Sequence, residues 1–515
     1  MLAVVFKPTI ARPRVRWPAL DSRSALFALI VVSTAVRFVW AYWLEASNDE
    51  AYNFLYTVHP AWSQFDHPPA TMLIERMGLA LFGSVSPLAL RFGFVLCGAA
   101  STVLLALLTT RLFADARAGF FAALALNVTG FFALKAGSFA LPDGPLTVFA
   151  FATLWALAEA FAQPPRLRPW LVVGACWGCA LASKYHAVFL PAGAVAFALT
   201  TASARRHLAS PGPYLAVALG LLGFLPALLW NAENGWASFA YQGGRAVALG
   251  FRPDKLAQYV GEQMAVWFPW MWLALAAVLV RGLRSWRTAS DAERHLLAQA
   301  TVPIAFFLAI AASRGAMAHW GWIGFLPLYP LLGRAASDLS RERPERLRRI
   351  AILYSLAAAG LLLAILLYVR SGWFPATPRG PARDFSGWES VGKELRDRGL
   401  LERPNTFLVT DDWHASGHLA FETDGTVPVL CYRSDDARGF AHWSRPEQWI
   451  GWDGLYIEKK EGGDPAAQFA PFFRRIDRLP DISMTRGGRV MQAVRVYLCV
   501  DQLRPYPFRG HAPSR

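Results

Sequence analysis

The chain has 515 residues, 55% of them hydrophobic and only 17% charged, with a mean hydropathy of +0.30. Soluble proteins carry about a quarter charged residues, so this composition excludes an ordinary soluble enzyme and indicates an integral membrane protein. The net charge of +15 does not indicate nucleic acid, because the basic residues lie in short segments between apolar runs, where the bilayer and its anionic headgroups are their partners.

A span needs about 20 mostly apolar residues. In chain order such runs lie near 24–45, 87–111, 118–134, 145–163, 169–183, 187–202, 213–231, 259–280, 299–313, 317–333 and 350–370, about eleven in all. The connecting segments alternate in charge. One set holds Lys7, Arg12, Arg14, Arg16 and Arg23, then Arg111 and Arg117, Arg166 and Arg168, Arg205 and Arg206, the arginines of 281–294, and those of 334–349. The opposite set holds only Arg76, Lys135, Lys184, Arg245, Arg252, Lys255 and Arg314. The positive-inside rule puts the richer set in the cytoplasm. The N-terminus is then inside, while 46–86, 135–144, 184–186, 232–258, 314–316 and the tail after about 371 are outside. The start is basic and then apolar, like a signal peptide, but it has no clear small-x-small cleavage site, which predicts an uncleaved first span.

The first outer segment, 46–86, is too apolar to float free. Ala51, Leu55 and Val58 recur at helical spacing and 70–82 is a second short apolar piece, predicting two interfacial helices separated by the extended Pro68-Pro69. These belong with a membrane domain over 1–371. The tail, 372–515, is polar and has strand-like runs at 407–410, 427–432, 455–458 and 494–500, with helical patterns at 386–398 and 413–422. It is predicted to be a small α/β domain. Cys176 and Cys179 have CxxC spacing inside an apolar run and are expected to pack rather than bind metal; Cys431 and Cys499 could pair if the tail is periplasmic.

The polar residues that call for explanation gather on the outer side: Asp49, Glu50, Asp66, His67, Lys135, Asp143, Lys184, Tyr185, His186, Trp230, Asn231, Trp236, Ser238, Gln242, Arg245 and His319. An enzyme acting there has no nucleotide sugar and must use a donor already activated in the membrane, for which a polyprenyl-phosphate sugar is suited. Its leaving group is a phosphate monoester, stabilised by a nearby Lys or Arg, and its acceptor hydroxyl needs a carboxylate to take the proton. Plainer roles exist for each residue: an ion pair for Asp66 and His67, snorkelling for Lys184 and Arg245, a helix cap for Asp143, and belt anchors for Trp230 and Trp236.

The motifs run Asn48-Asp49-Glu50-Ala51-Tyr52, Phe65-Asp66-His67-Pro68-Pro69, Leu141-Pro142-Asp143-Gly144, Ala182-Ser183-Lys184-Tyr185, Leu229-Trp230-Asn231 through Ser238-Phe239, and His319-Trp320. In them the chain resembles the polyprenyl-phosphate-sugar-dependent glycosyltransferases of the GT-C fold. The match is closest to the bacterial branch of glycosyltransferase family 39, related to the protein O-mannosyltransferases and the lipid A aminoarabinose transferase. The resemblance implies a mainly α, polytopic inner-membrane protein with a C-terminal periplasmic α/β domain. It also implies inverting transfer of a sugar to an acceptor hydroxyl, with an envelope glycolipid such as lipid A or lipopolysaccharide core as the acceptor. Asp49 would be the base and Glu50 its neighbour, positioning the acceptor or a cation. Asp66, His67, Lys135, Asp143, Lys184, Tyr185, Arg245 and His319 would contact donor phosphate or substrate. Where the aminoarabinose relatives have Lys near the donor phosphate this chain has His67, which leaves the phosphate contact and a divalent metal on Asp66 and His67 as open questions. A lipid-linked-sugar flippase or a protein O-glycosyltransferase is the alternative; a flippase predicts internal repeats and midplane charges, and neither is visible.

Overall fold

The computed structural model describes residues 22–246, 250–371, 387–433, 436–459 and 465–507, the side chains of 245, 246, 465 and 466 excepted. Lys7, Arg12, Arg14, Arg16, the segment 372–386 and the side chain of Arg245 therefore lie outside the described residues. In chain order the first half runs α1 (Ser22–Trp43), α2 (Asn48–Val58), α3 (Ala70–Phe82), α4 (Pro87–Phe113), α5 (Ala116–Asn127), α6 (Asp143–Ala162), α7 (Leu167–Ser183), α8 (Phe189–Thr200) and the single turn α9 (Ala202–Arg205). It continues through α10 (Gly212–Glu233), α11 (Ala237–Ala246), α12 (Pro253–Trp267), α13 (Pro269–Arg284), α14 (Asp291–Ser313), the short α15 (Trp322–Phe325), α16 (Leu328–Glu342) and α17 (Pro344–Ser371).

Six of these helices, α1, α4, α6, α10, α14 and α17, are long and apolar enough to cross a bilayer. Two further pairs, Tyr185–Thr200 with Ala202–Ala209 and α12 with α13, are each bent by 113°, so six to eight spans stand out by length and composition among the described residues, with the apolar α7 just shorter, and the expected count of about eleven is not confirmed. The shortfall has local causes. The run 259–280 breaks at Phe268, φ +72°, because Pro269 disfavours helical backbone in the residue before it. The run 317–333 is interrupted at Pro327, and 118–134 is divided into α5 and a π-helical turn, Phe131–Ala136. Helices α7 and α10 touch backbone to backbone: a Cβ on Gly223 would lie 2.7 Å from Gly178 Cα.

The tail contains α18 (Trp388–Asp397), β1 (Thr406–Thr410), α19 (Trp413–Glu422), β2 (Val429–Cys431), α20 (Phe440–Trp443), β3 (Asp453–Glu458), α21 (Pro465–Phe469), β4 (Phe473–Arg486) and β5 (Arg489–Gln502). They build one sheet in the order β2-β1-β3-β5-β4, parallel on one side and antiparallel on the other. Cys431 on β2 and Cys499 on β5 are separated by two whole strands, about 14 Å at the usual interstrand spacing. The disulfide considered for them is therefore not formed, and both are buried thiols.

Two short helices, α2 and α3, occupy 46–86 as expected, but α2 belongs as much to the tail as to the bundle. Tyr52, Leu55, Tyr56 and Met72 share one buried cluster with Trp388, Val391, Trp413 and Leu419. Contact is closest at Gly417 of α19, where a Cβ would come within 2.8 Å of the Tyr52 Cα and N.

Candidate active site

Asp49 and Glu50 occupy the first turn of α2 and point to different places, as neighbours about 100° apart on a helix must. Asp49 is exposed and, with Asn48, Tyr52 and Asn53 on the same face, lines a cavity of about 540 Å3. Glu50 is 0% exposed and does not line it. Its carboxylate accepts from Arg91 Nε and Nη2, both at 2.7 Å, from Ser47 N at 2.9 Å and Oγ at 2.8 Å, and from Ala140 N at 2.9 Å. Burial pushes this carboxyl up, but Arg91 and these hydrogen bonds outweigh it and hold it below the usual carboxylate range. Every acceptor direction of Glu50 is thus taken up in joining α2, α4 and the segment before α6. The role expected for it, positioning an acceptor or a cation, gives way to a structural one.

Arg91 also donates to the carbonyls of Trp40, Ala41, Leu44 and Glu45 at the end of α1, and Arg37 donates to Asn127 Oδ1 at 2.7 Å. Neither arginine lines the cavity. Asp143 opens α6 in its first turn, but not as a side-chain cap: Lys184 Nζ donates to both of its oxygens at 2.8 Å. This pair lines the same cavity as Asp49, together with Tyr185, His186, Lys135 of the π-helical turn and His319. Trp230 packs on Phe65 and Trp236 is exposed; neither faces the cavity.

Asp66 is the node that joins the segment 46–86 to the tail. It accepts from Tyr52 Oη at 2.5 Å and from Arg438 Nη1 at 2.6 Å, and Tyr52 Oη in turn accepts from Gly439 N at 2.9 Å. Burial alone would raise the Asp66 carboxyl, but the Arg438 charge and these bonds lower it, while burial and Asp66 keep Tyr52 protonated. His67 gains little from its neighbour: burial pushes its ring down to about 4, so it is neutral at pH 7. Asp66 and His67 do not fit a metal centre, since the carboxylate is occupied by a guanidinium and a phenol. Among the described residues no group of three metal-ligating side chains converges. His414 and His418 do not converge on a metal either: His414 pairs with Asp412 at 3.2 Å, and His418 bonds Asn48 Oδ1 at 2.9 Å and stacks on Trp388.

The structure therefore brings Asp49, Asp66, His67, Lys135, Asp143, Lys184, Tyr185 and His319 onto one cavity, and adds Trp413, His414, Asp436 and Arg438 from the tail. Arg438 is the addition sequence reasoning missed. It lies in a polar segment with no periodicity; its place beside a Gly, ahead of Phe440, His442 and Trp443, was the only available signal. A second cavity of about 400 Å3, with Lys255 and Arg314 in its wall, adjoins the first across Met317 and Trp320.

Comparison with known proteins agrees with this architecture. Residues 66–230 match the family model described as dolichyl-phosphate-mannose-protein mannosyltransferase. A protein from Pseudomonas paraeruginosa called undecaprenyl phosphate-alpha-4-amino-4-deoxy-L-arabinose arabinosyl transferase is 28% identical over 329 residues, covering 59% of this chain and 56% of the relative. A protein of the same name from Edwardsiella ictaluri is 26% identical over 313 residues, covering 59% and 55%. The chain thus spans little more than half the length of the curated relatives it matches. The fold is that of ArnT from Cupriavidus metallidurans, whose crystal structure bound to undecaprenyl phosphate superposes with a TM-score of 0.63 at 16% identity, over 92% of this chain and 97% of that one.

Proposed function

We propose that this multi-pass membrane protein, a GT-C relative of the aminoarabinose transferases and the protein O-mannosyltransferases, is an inverting glycosyltransferase. It moves a sugar from a polyprenyl-phosphate donor to an acceptor hydroxyl, on an envelope glycolipid such as lipid A or lipopolysaccharide core. The observation that carries the proposal is the cavity itself. An exposed carboxylate, Asp49, lines one cavity together with Lys135, Lys184 and Arg438, in a fold shared with a protein whose structure is bound to undecaprenyl phosphate.

In this mechanism Asp49 takes the proton of the acceptor hydroxyl as its oxygen attacks the anomeric carbon. The bond from that carbon to the phosphate oxygen breaks, and its electron pair leaves with the phosphate. The donor is a phosphodiester with one negative charge and the product a monoester with up to two, so cations lining the cavity bind the transition state more tightly than the ground state. Lys184 is held in place by Asp143. The positive-inside distribution supports a cytoplasmic N-terminus and a periplasmic C-terminal domain, which puts the cavity on the periplasmic face of the bacterial inner membrane. Separate membrane and soluble units meet near residue 371 on this reading.

The test is reconstitution. Purified protein supplied with a lipid extract containing polyprenyl-phosphate sugars should release free polyprenyl phosphate in step with glycosylation of the acceptor, as seen by mass spectrometry. Movement of intact donor between leaflets without its consumption would instead favour a flippase.

A further inference from the structure

We infer that Arg438, carried into the cavity by the C-terminal domain, binds the phosphate of the polyprenyl carrier, so that this domain is a working part of the active site and not a cover over it. The inference rests on the glycosyl-transfer reading above. The segment 46–86 supplies no cation of its own at this point, because His67 is neutral at pH 7. Lys184 is engaged by both oxygens of Asp143. Arg438 is the one arginine among the described residues lining the cavity.

Its geometry is that of a preorganised phosphate donor. Nη1 is fixed on Asp66 at 2.6 Å and Nε lies 3.0 Å from Asp436 Oδ1, while the guanidinium rests over the rings of Trp413 at 4.3 Å and Tyr241 at 5.0 Å. Arg438 lines the cavity, and no hydrogen bond or ion pair joins its Nη2 to another described residue. The segment carrying it is tied down along its length. Gly439 N donates to Tyr52, Trp443 Nε1 donates to Gln64 Oε1 at 3.1 Å, and His442 lies between Phe65 and Trp230. Arg438 itself holds a left-handed backbone, φ +50°, which a non-glycine residue adopts only when its surroundings impose it. A planar, always-charged fork hydrogen-bonded at Nη1 and set between two aromatic rings suits an oxygen of a phosphate that gains charge as it departs.

Arg438 should then matter more for the product than for the donor, because the product carries the extra charge. Binding of undecaprenyl phosphate, measured as product inhibition and by titration of purified protein, should weaken about tenfold or more in Arg438→Gln. Donor KM should change less, and kcat should fall by about 100-fold, the scale of removing one charge-stabilising donor. Loosened domain packing alone would lower kcat without shifting product affinity relative to donor KM. Undecaprenyl phosphate affinity in Arg438→Gln within twofold of wild type would overturn the inference. If that variant does not fold, Arg438→Lys serves: a loss of about fivefold or more in product affinity supports the inference, and wild-type affinity overturns it. Failure of the wild type itself to bind undecaprenyl phosphate would instead count against the underlying glycosyl-transfer reading.

Discussion

Replacing Glu50 with Gln should unfold the protein more readily than it alters its chemistry, although Glu50 adjoins the proposed base. The carboxylate and the Arg91 guanidinium are each 0% exposed and share two contacts of 2.7 Å. Glu50→Gln removes the charge but keeps the volume, leaving a buried guanidinium with no counterion. Breaking one side of a buried pair costs about 3–5 kcal/mol. Against total stabilities of about 5–15 kcal/mol, that is a large fraction. Thermal unfolding in detergent micelles, followed by a thiol-reactive dye that reports exposure of the buried Cys431 and Cys499, should show the midpoint falling by about 3–5 °C. Asp49→Asn, on the exposed side of the same turn, should stay within about 0.5 kcal/mol of wild type. A double variant, Glu50→Gln with Arg91→Met, should recover part of the loss because no lone charge remains. If Glu50→Gln melts like wild type but has lost turnover, Glu50 acts on substrate and the structural assignment is wrong.

Gly417→Ala places a methyl 2.8 Å from backbone atoms of Tyr52, which cannot rotate away, so α2 and α19 must separate by a few tenths of an ångström or more. Overpacking of this kind costs about 1–3 kcal/mol, and because α2 carries Asp49, kcat should drop by about tenfold or more while polyprenyl phosphate still binds. Unchanged kcat would show that the tail does not set the position of α2. Stability should also depend on pH with a definite sign. The folded state holds the His67 ring near 4 against an unfolded value of 6.5, so the unfolded chain binds the extra proton, and stability present at pH 7 is lost as the pH falls through that interval. Glu50 and Asp66, both held low in the folded state, add a further loss below about pH 4.5. An unfolding midpoint flat from pH 7 to 4 would contradict these assignments, and His67→Gln should remove the upper part of the slope.

The sequence made the membrane class, the tail's α/β character and most cavity residues legible, because apolar runs and isolated charges between them are local signals. Pairings across the chain were not legible. Asp143 and Lys184 were each singled out, but not their bidentate contact over 41 positions. Adjacent acids at 49 and 50 have the same residue chemistry, and only the helix phase and the fixed site of Arg91 decide which one reaches the cavity. Strand β4 is hidden in the sequence because Arg474, Arg475, Asp477, Arg478, Pro480 and Asp481 obscure its alternation, and the ladder accommodates the proline with a register shift between Leu479 and Ile482. Arg438 meets Asp66 over 372 positions, a distance at which no spacing rule applies.

The most direct measurement is single-turnover transfer from a polyprenyl-phosphate sugar by Asp49→Asn, with donor binding titrated in parallel. With the carboxylate as base, transfer should slow by about 100- to 10,000-fold while donor affinity stays near wild type. Transfer at close to the wild-type rate by a variant that binds donor normally would show that some other group accepts the proton, and the proposed chemistry of this cavity would have to be abandoned.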